Sequence, residues 1–226
     1  MKRIACIIVA LMLCATAFAA TTSKTTADTS TVSVPQEIVE AYSEGEEKGS
    51  IAVDEDADSE ASQEASAALE GLLAAVESAT TEDMTEEEAA EAVSKAVDAY
   101  FQSNGNTIET VEGESVTLSE FLIPEGKAGT VTIDEVFPIV VKNFSNTLDD
   151  ESVMVPTTFK VASTYEKGEK VAVLIGFAKP DGSIQWIALE GVYDGEGVVV
   201  DIPGNIFYRI QNEGGATVAI ASADIS

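Results

Sequence analysis

The chain contains 226 residues, of which 45% are hydrophobic, and it has a formal net charge of −28 with no histidine. This length is enough for one good-sized domain and a smaller element, and the hydrophobic fraction is typical of a globular core. The negative charge excludes nucleic acid as a natural partner, because it repels phosphate backbones.

The first 19 residues have the pattern of a signal peptide. They begin with two basic residues, continue with an apolar stretch over residues 4–16 and end in a small-x-small site at residues 17–19. The apolar stretch is shorter than the roughly 20 residues needed to span a bilayer. We therefore expect cleavage between Ala19 and Ala20, giving a secreted or cell-envelope protein with no membrane insertion after cleavage.

Both cysteines lie inside this predicted signal peptide. Removal of Cys6 and Cys14 leaves a mature chain that cannot form disulfides. An alternative is lipid attachment at Cys14, but Leu13 stands where lipoprotein signals generally have a small residue. Without histidine or cysteine, the mature chain lacks Ser/His/Asp and Cys/His catalysis and the usual ligands of zinc, copper and haem. We expect no cofactor. The catalytic chemistry that remains is that of paired carboxylates, as in glycosidases.

The N-terminal half is predicted to be helical and acidic. Residues 20–34 are rich in Thr and Ser and are expected to form a disordered leader. Residues 35–104 are predicted to form an acidic helical region. Within it, residues 62–78 repeat apolar side chains at helical spacing, and Thr85 with Glu88 forms a capping box that opens the next helix. Together these two helices predict a helical hairpin.

An acidic stretch in this region imitates the start of a calcium-binding loop. Asp54, Asp56 and Asp58 place oxygen ligands at alternate positions. However, Ser59 takes the position that requires glycine, and Ala65 takes the position of the bidentate glutamate. We therefore expect at most a weak, millimolar calcium site here, and the alternative is a solvated acidic linker.

The C-terminal half, residues 105–226, is predicted to be a β domain. Hydrophobic periodicity changes from helical to alternating, and about seven short strands are separated by turn signals. These predicted strands include residues 116–123, 131–137, 139–144, 153–161 and 216–222, with a three-stranded meander over residues 170–202. The pattern favours an immunoglobulin-like β-sandwich, with a barrel as the alternative.

Two details of this half bear on the strand arrangement. Simple alternation over Val131 to Phe137 puts Glu135 on the otherwise apolar side of its strand, and Pro138 is then expected to break or bend the ladder. In the meander, residues 171–178 are apolar on both faces, with small side chains on one of them. A strand apolar on both faces needs cover on both, which the Ala-rich helices could supply.

Several runs in this half carry a resemblance to a known type of module. They are Tyr165-Glu-Lys-Gly-Glu-Lys-Val-Ala-Val-Leu-Ile-Gly-Phe, Asp181-Gly-Ser-Ile-Gln-Trp-Ile-Ala-Leu-Glu-Gly-Val, Ile210-Gln-Asn and the final Ala-Thr-Val-Ala-Ile-Ala-Ser. The last hundred or so residues resemble an uncharacterised immunoglobulin-like β-sandwich module of secreted proteins from anaerobic gut bacteria. The resemblance implies a location and a fold class, and it implies no activity or site.

Three aromatic residues are the candidates for ligand binding. Trp186, Tyr165 and Tyr193 could form a sugar-stacking platform. Trp186 shares its strand face with Ile184 and Ala188, which favours a core position, whereas Tyr193 follows the strand and is the better candidate for exposure. No catalytic residue is assigned.

The sequence therefore predicts an exported, non-enzymatic accessory or binding protein of a bacterial envelope, whose partner is an unknown protein or glycan. The alternatives are a carbohydrate-binding module and a carboxylate-only hydrolase. Exposed aromatic rings would favour the first alternative, and a cleft with facing acids would favour the second.

Overall fold

A computed structural model describes residues 30–81, 83–103, 105–163 and 165–225. The predicted signal peptide, its cleavage site at Ala19 and Ala20 and residues 20–29 of the predicted leader lie outside these ranges. Within them, no helix is both long enough and apolar enough to cross a membrane.

The described residues form nine strands and five α-helices. The strands are β1 (Thr31–Ser33), β2 (Ser50–Val53), β3 (Thr107–Thr110), β4 (Gly129–Lys142), β5 (Met154–Lys160), β6 (Lys170–Ala178), β7 (Ile184–Tyr193), β8 (Val198–Pro203) and β9 (Ala216–Ile225). The helices are α1 (Gln36–Tyr42), α2 (Glu60–Ala79), α3 (Glu86–Gln102), α4 (Leu118–Leu122) and α5 (Gly204–Asn212), and a 3₁₀ turn spans Asn146–Leu148.

All nine strands belong to one sheet in the order β1-β5-β8-β7-β6-β9-β4-β2, with β3 added beside β7. The pairings are antiparallel except for the parallel pair β3–β7. The two end strands, β1 and β2, lie in contact, so the sheet is nearly closed. The predicted mainly β fold is confirmed. The immunoglobulin-like sandwich is not confirmed, because it needs two packed sheets and the described strands form one.

The curled sheet is buried on both faces. Side chains of β1, of β4 to β9 and of α5 meet in a core enclosed by the sheet. A second core lies on the outer face, where α2, α3 and α4 cover β4, β6, β7 and β9. The small side chains of β6 and β9, such as Ala172, Ala219 and Ala221, belong to this second core. The helices therefore lie over the small-residue face that the sequence pattern indicated.

A β-bulge corrects the predicted alternation in β4. Ile133 pairs with Ala221, but the next paired residue is Glu135, opposite Ile220, so Asp134 is the extra residue. After the bulge, the alternation of β4 is shifted by one residue. Ile133 and Val136, which strict alternation would place on opposite faces, therefore both lie in the outer core. Glu135 consequently lies on the opposite side from Ile133, and the prediction that the two share a face is wrong.

Pro138 does not break β4, which was one of the two effects expected of it, a break or a bend. The strand continues to Lys142, with Pro138 opposite Thr217 of β9. The carbonyl of Pro138 accepts a hydrogen bond from the backbone N–H of Asp54 at 3.0 Å. The ladder thus continues through Pro138 although proline has no backbone N–H to donate.

Other differences from the predicted elements concern short segments. Residues 31–33, assigned to the disordered leader, form β1, because Val32 is buried opposite Phe159 of β5. Residues 118–122, predicted as part of a strand, form α4, because Thr117 and Glu120 make a capping box. The capping box of Thr85 and Glu88 is present as predicted.

The predicted helical region is part of the same packed structure as the sheet. Its strand β2 pairs with β4, and α2 and α3 contact each other as well as the sheet. The structure therefore does not confirm a separate helical hairpin. The boundary at residue 105 stays a prediction, but these contacts lead us to expect that residues 105–226 do not fold alone.

We expect residues 105–226, expressed without the helices, to be aggregated or to unfold non-cooperatively. The reason is that removal of α2 and α3 exposes the outer core and removes β1 and β2 from the sheet. Urea unfolding followed by circular dichroism, compared with residues 30–226, measures this. A fragment that unfolds cooperatively at the midpoint of the longer chain would instead support the boundary.

Candidate functional site

Trp186 is completely buried in the outer core, with 0% of its surface exposed. Its ring packs edge-to-face on Phe101 of α3 with 5.2 Å between ring centroids. On β6, a Cβ added to Gly176 would lie 2.7 Å from the Trp186 ring, so glycine provides the room for it. Burial beneath the helices removes Trp186 from the candidate sugar-binding platform and places it in the core.

Tyr165 and Tyr193, the other two candidates, lie together. Their ring centroids are 5.6 Å apart and the rings are tilted by 57°. Tyr165 is 8% exposed, whereas Tyr193 is half-buried and packs partly on the inner core. The structure thus unites these two residues and places Trp186 on the opposite face of the sheet.

The tyrosine pair adjoins two acidic residues at the β4 bulge. The hydroxyl of Tyr165 donates to Oδ2 of Asp134 at 3.1 Å. Glu135, only 4% exposed, accepts hydrogen bonds from the backbone N–H of Ser163 at 2.9 Å and from the hydroxyl of Ser30 at 2.8 Å. Through these hydrogen bonds, Glu135 connects β4 to the β5–β6 loop and to the residue before β1.

Burial changes the proton affinity of Asp134 and of Tyr165. Burial raises the pKa of Asp134 to about 6, against the opposing hydrogen bonds from Ser222, Tyr165 and Thr132. Burial, followed by the charge of Asp134, also raises the pKa of Tyr165. The sequence signal for this cluster is Glu135, which simple alternation places on an apolar strand face.

The calcium candidates occupy the turn before α2. Asp56 and Asp58 are exposed and Asp54 is half-buried. Oδ1 of Asp54 accepts from the N–H of Asp56 at 3.1 Å, and Oδ1 of Asp56 accepts from the N–H of Asp58 at 3.0 Å. These aspartates thus cap successive turns of the chain. In the part of the chain that the structure describes, no group of three or more acidic, His or Cys residues is arranged to hold a metal ion.

A cleft of about 230 Å³ opens where the start of α2 meets the turn after α5. Its lining includes Glu60 and Glu64 of α2, Phe177 of β6, Glu213 and Gly215. Gly215 allows the close approach of α2, since a Cβ there would lie 2.8 Å from the Cβ of Ala61. We call this site the acidic cleft.

The carboxyl of Glu64 has an unusual proton affinity in this cleft. Its pKa is raised to about 7, first by burial and then by the charges of Glu60 and Glu213. Arg209 is the basic residue beside the cleft. Its guanidinium binds Glu213 at 2.6 Å and lies 3.9 Å above the ring of Phe177.

An acid with a pKa near 7 has two chemical uses. It can receive a positively charged group, which favours the ionised form, or it can transfer a proton at neutral pH. Sequence reasoning missed Glu60, Glu64 and Glu213 because the chain has 40 acidic residues and only the fold brings the third glutamate to the first two.

Comparison with family models, with curated proteins and with solved structures gives no match for this chain. The geometry of the acidic cleft and of the other described sites is therefore the basis for a functional proposal.

We expect Trp186→Ala to lower the free energy of unfolding by about 3–5 kcal/mol, because it leaves a cavity under α3. Trp186→Phe should cost less, since it keeps the ring contact and removes an indole N–H that has no hydrogen-bond partner among the described residues. Val111→Ala, at an exposed position, is the control and should change stability by less than about 0.5 kcal/mol. Urea titrations measure all three, and wild-type stability in Trp186→Ala would contradict the core assignment.

We also expect the protein to be more stable near pH 5 than near pH 7.5. The folded-state pKa values of Glu64 and Asp134, about 7 and about 6, lie above the ordinary values of 4.5 and 3.8. Raised carboxyl pKa values stabilise the fold below the ordinary values, and this stabilisation is lost as pH rises through 6 and 7. After discounting for solvent screening of half-exposed Glu64, the combined loss is on the order of 2 kcal/mol.

Glu64→Gln separates this local effect from the general effect of net charge. It imitates the protonated acid and should reduce the pH dependence of the unfolding free energy between pH 5 and 7.5. Glu91→Gln makes the same charge change on the exposed side of α3 and should leave the slope as in the wild type. If both variants show the wild-type slope, Glu64 does not titrate as described.

Proposed function

We propose that the chain is an exported, non-enzymatic accessory or binding protein of a bacterial envelope, and that the acidic cleft holds a positively charged group of its partner. The signal-peptide pattern and the resemblance of the last hundred residues to a module of secreted proteins support export. The convergence of Glu60, Glu64 and Glu213 in one cleft is the observation that supports cation binding.

The charge balance of the cleft supports a cationic partner. Three carboxylates adjoin one guanidinium, and Arg209 is held by Glu213, by Phe177 and by the side-chain oxygen of Gln185 at 3.0 Å. Ionisation of Glu64 is opposed by burial and by the two neighbouring glutamates. A lysine ammonium in the cleft would offset this repulsion and release the proton from Glu64.

The size and the walls of the cleft suit a side-chain terminus. A volume of about 230 Å³ holds an ammonium group with part of its methylene stem. Phe177 and the neighbouring Ala178 provide apolar contact for that stem, as is typical where lysine side chains lie along a protein surface. The partner class is therefore a protein or peptide with an accessible lysine.

Isothermal titration with lysine-containing peptides tests this proposal. Affinity should rise between pH 6 and pH 8, because protons then no longer compete for Glu64. Glu64→Gln should weaken binding by about fivefold, which corresponds to roughly 1 kcal/mol for a partly exposed charge pair. Glu91→Gln should bind as the wild type does. The same peptides with an acetylated lysine, which carries no charge, should bind more weakly. Equal binding of the acetylated and unmodified peptides would contradict the proposal.

A carboxylate-only hydrolase is the second candidate, and the raised pKa of Glu64 is the observation that favours it. A carboxyl that is half-protonated near pH 7 and lies beside two other carboxyls can act as a general acid. Turnover of chromogenic glycosides tests this function, and Glu64→Gln should then lower kcat by about 100-fold or more. Turnover by the Glu64→Gln variant at the wild-type rate would reject it.

A further inference from the structure

A second cleft differs from the acidic cleft in chemistry and position. It has a volume of about 320 Å³ and lies between the end of α3, the start of β3 and the segment before α4. Amide, hydroxyl and aliphatic side chains line it, with Glu120 as its one carboxylate among the described lining residues. On a protein with a net charge of −28, this lining is close to neutral. We call it the neutral cleft.

Asn106 offers a fixed hydrogen-bond donor in the neutral cleft. Its Oδ1 accepts from the backbone N–H of Ile184 at 2.8 Å. Because a backbone N–H needs an acceptor, this bond determines which way the amide is turned. The NH₂ group of Asn106 is therefore left to donate elsewhere.

Two further polar side chains of the cleft are available to a ligand. Gln102 ends α3 and Ser115 lies opposite Glu109 in an isolated bridge, and both are exposed. Neither side chain has a hydrogen-bond partner among the described residues. Together with Asn106, these side chains supply donors and acceptors from two segments of the chain, the α3–β3 connection and the stretch before α4.

The floor of the cleft is apolar and belongs to the hydrogen-bonded strand β3. Ile108 is 2% exposed and pairs with Trp186 in the parallel β3–β7 ladder. The backbone N–H of Val116 donates to the carbonyl of Ile108 at 3.0 Å. This hydrogen bond holds the segment before α4 against β3. An apolar floor beneath a polar rim matches the C–H face and the hydroxyl edge of a pyranose ring.

The single carboxylate is already engaged. Glu120 accepts from the backbone N–H of Thr117 at 2.8 Å, and this capping interaction lowers the pKa of Glu120. Anionic ligands are disfavoured by the charge of the protein, and a cationic ligand is better accommodated by the three glutamates of the acidic cleft. A neutral ligand with many hydroxyl groups suits the remaining chemistry.

We propose that the neutral cleft binds a neutral sugar residue of a glycan, through the side chains of Gln102, Asn106 and Ser115 above a floor of Ile108 and Val116. This site is separate from the acidic cleft and does not depend on the function proposed for it. It also differs from the aromatic platform that the sequence suggested, since Trp186 is fully buried in the outer core.

An array of neutral oligosaccharides, followed by titration of the best binder, tests the proposal. The side-chain amide signals of Asn106 and Gln102 should shift in NMR spectra of the wild-type protein. Gln102→Ala, Ser115→Ala and Asn106→Asp should each weaken binding by about 3- to 10-fold, as expected for one lost hydrogen bond. Asn106→Asp retains the acceptor for Ile184, so its melting temperature should stay close to that of the wild type.

Glu64→Gln is the control and should bind the oligosaccharide as the wild type does. The proposal is overturned if no array member binds, or if all three cleft variants bind with wild-type affinity. Loss of sugar binding in Glu64→Gln would move the site to the acidic cleft. Shifts of the two amide signals by uncharged peptides, with none by saccharides, would replace the sugar with a peptide ligand.

Discussion

Burial of both faces of strands β6 and β9 is the constraint on which the rest of the structure depends. Large side chains of these strands fill the inner core, and small ones such as Ala172 and Ala219 face outward. Such a strand is unstable in water unless both faces are covered. The Ala-rich faces of α2 and α3 fit closely over the small residues, and Trp186 with Phe101 fills the remaining space.

Both clefts are consequences of this helix layer. The acidic cleft forms where α2 begins, because Gly215 lets the helix approach the sheet and brings Glu60 and Glu64 to Glu213. The neutral cleft forms where α3 ends, because the chain turns there into β3 and then into the cap of α4. The acidic cleft thus holds mutually repelling carboxyls, whereas the neutral cleft presents uncharged amide and hydroxyl groups.

The bulge at Asp134 has a different role, at the place where the sheet nearly closes. By turning Asp134 and Glu135 to the same side of β4, it concentrates two acids beside Tyr165. Glu135 accepts hydrogen bonds from Ser30 and Ser163 there, which join the residue before β1 and the β5–β6 loop to β4. Buried carboxyls are costly unless they are hydrogen-bonded, which explains the number of hydroxyl groups around them.

Local chemistry determined much of this protein from the sequence alone. Interactions between near neighbours in the chain determine the capping box of Thr85 and Glu88, the meander around the turn at residues 179–182 and the two apolar faces of β6. The meander and the apolar strand predicted the β class. Thr117 and Glu120 carry the same helix signal, within residues 116–123 that are predicted to form a strand. Only the tertiary structure decided the single nearly closed sheet, the bulge and the two clefts. Each depends on partners far apart in the chain: Glu213 approaches Glu64 through α5, and a one-residue shift at Asp134 is set by pairing with β9.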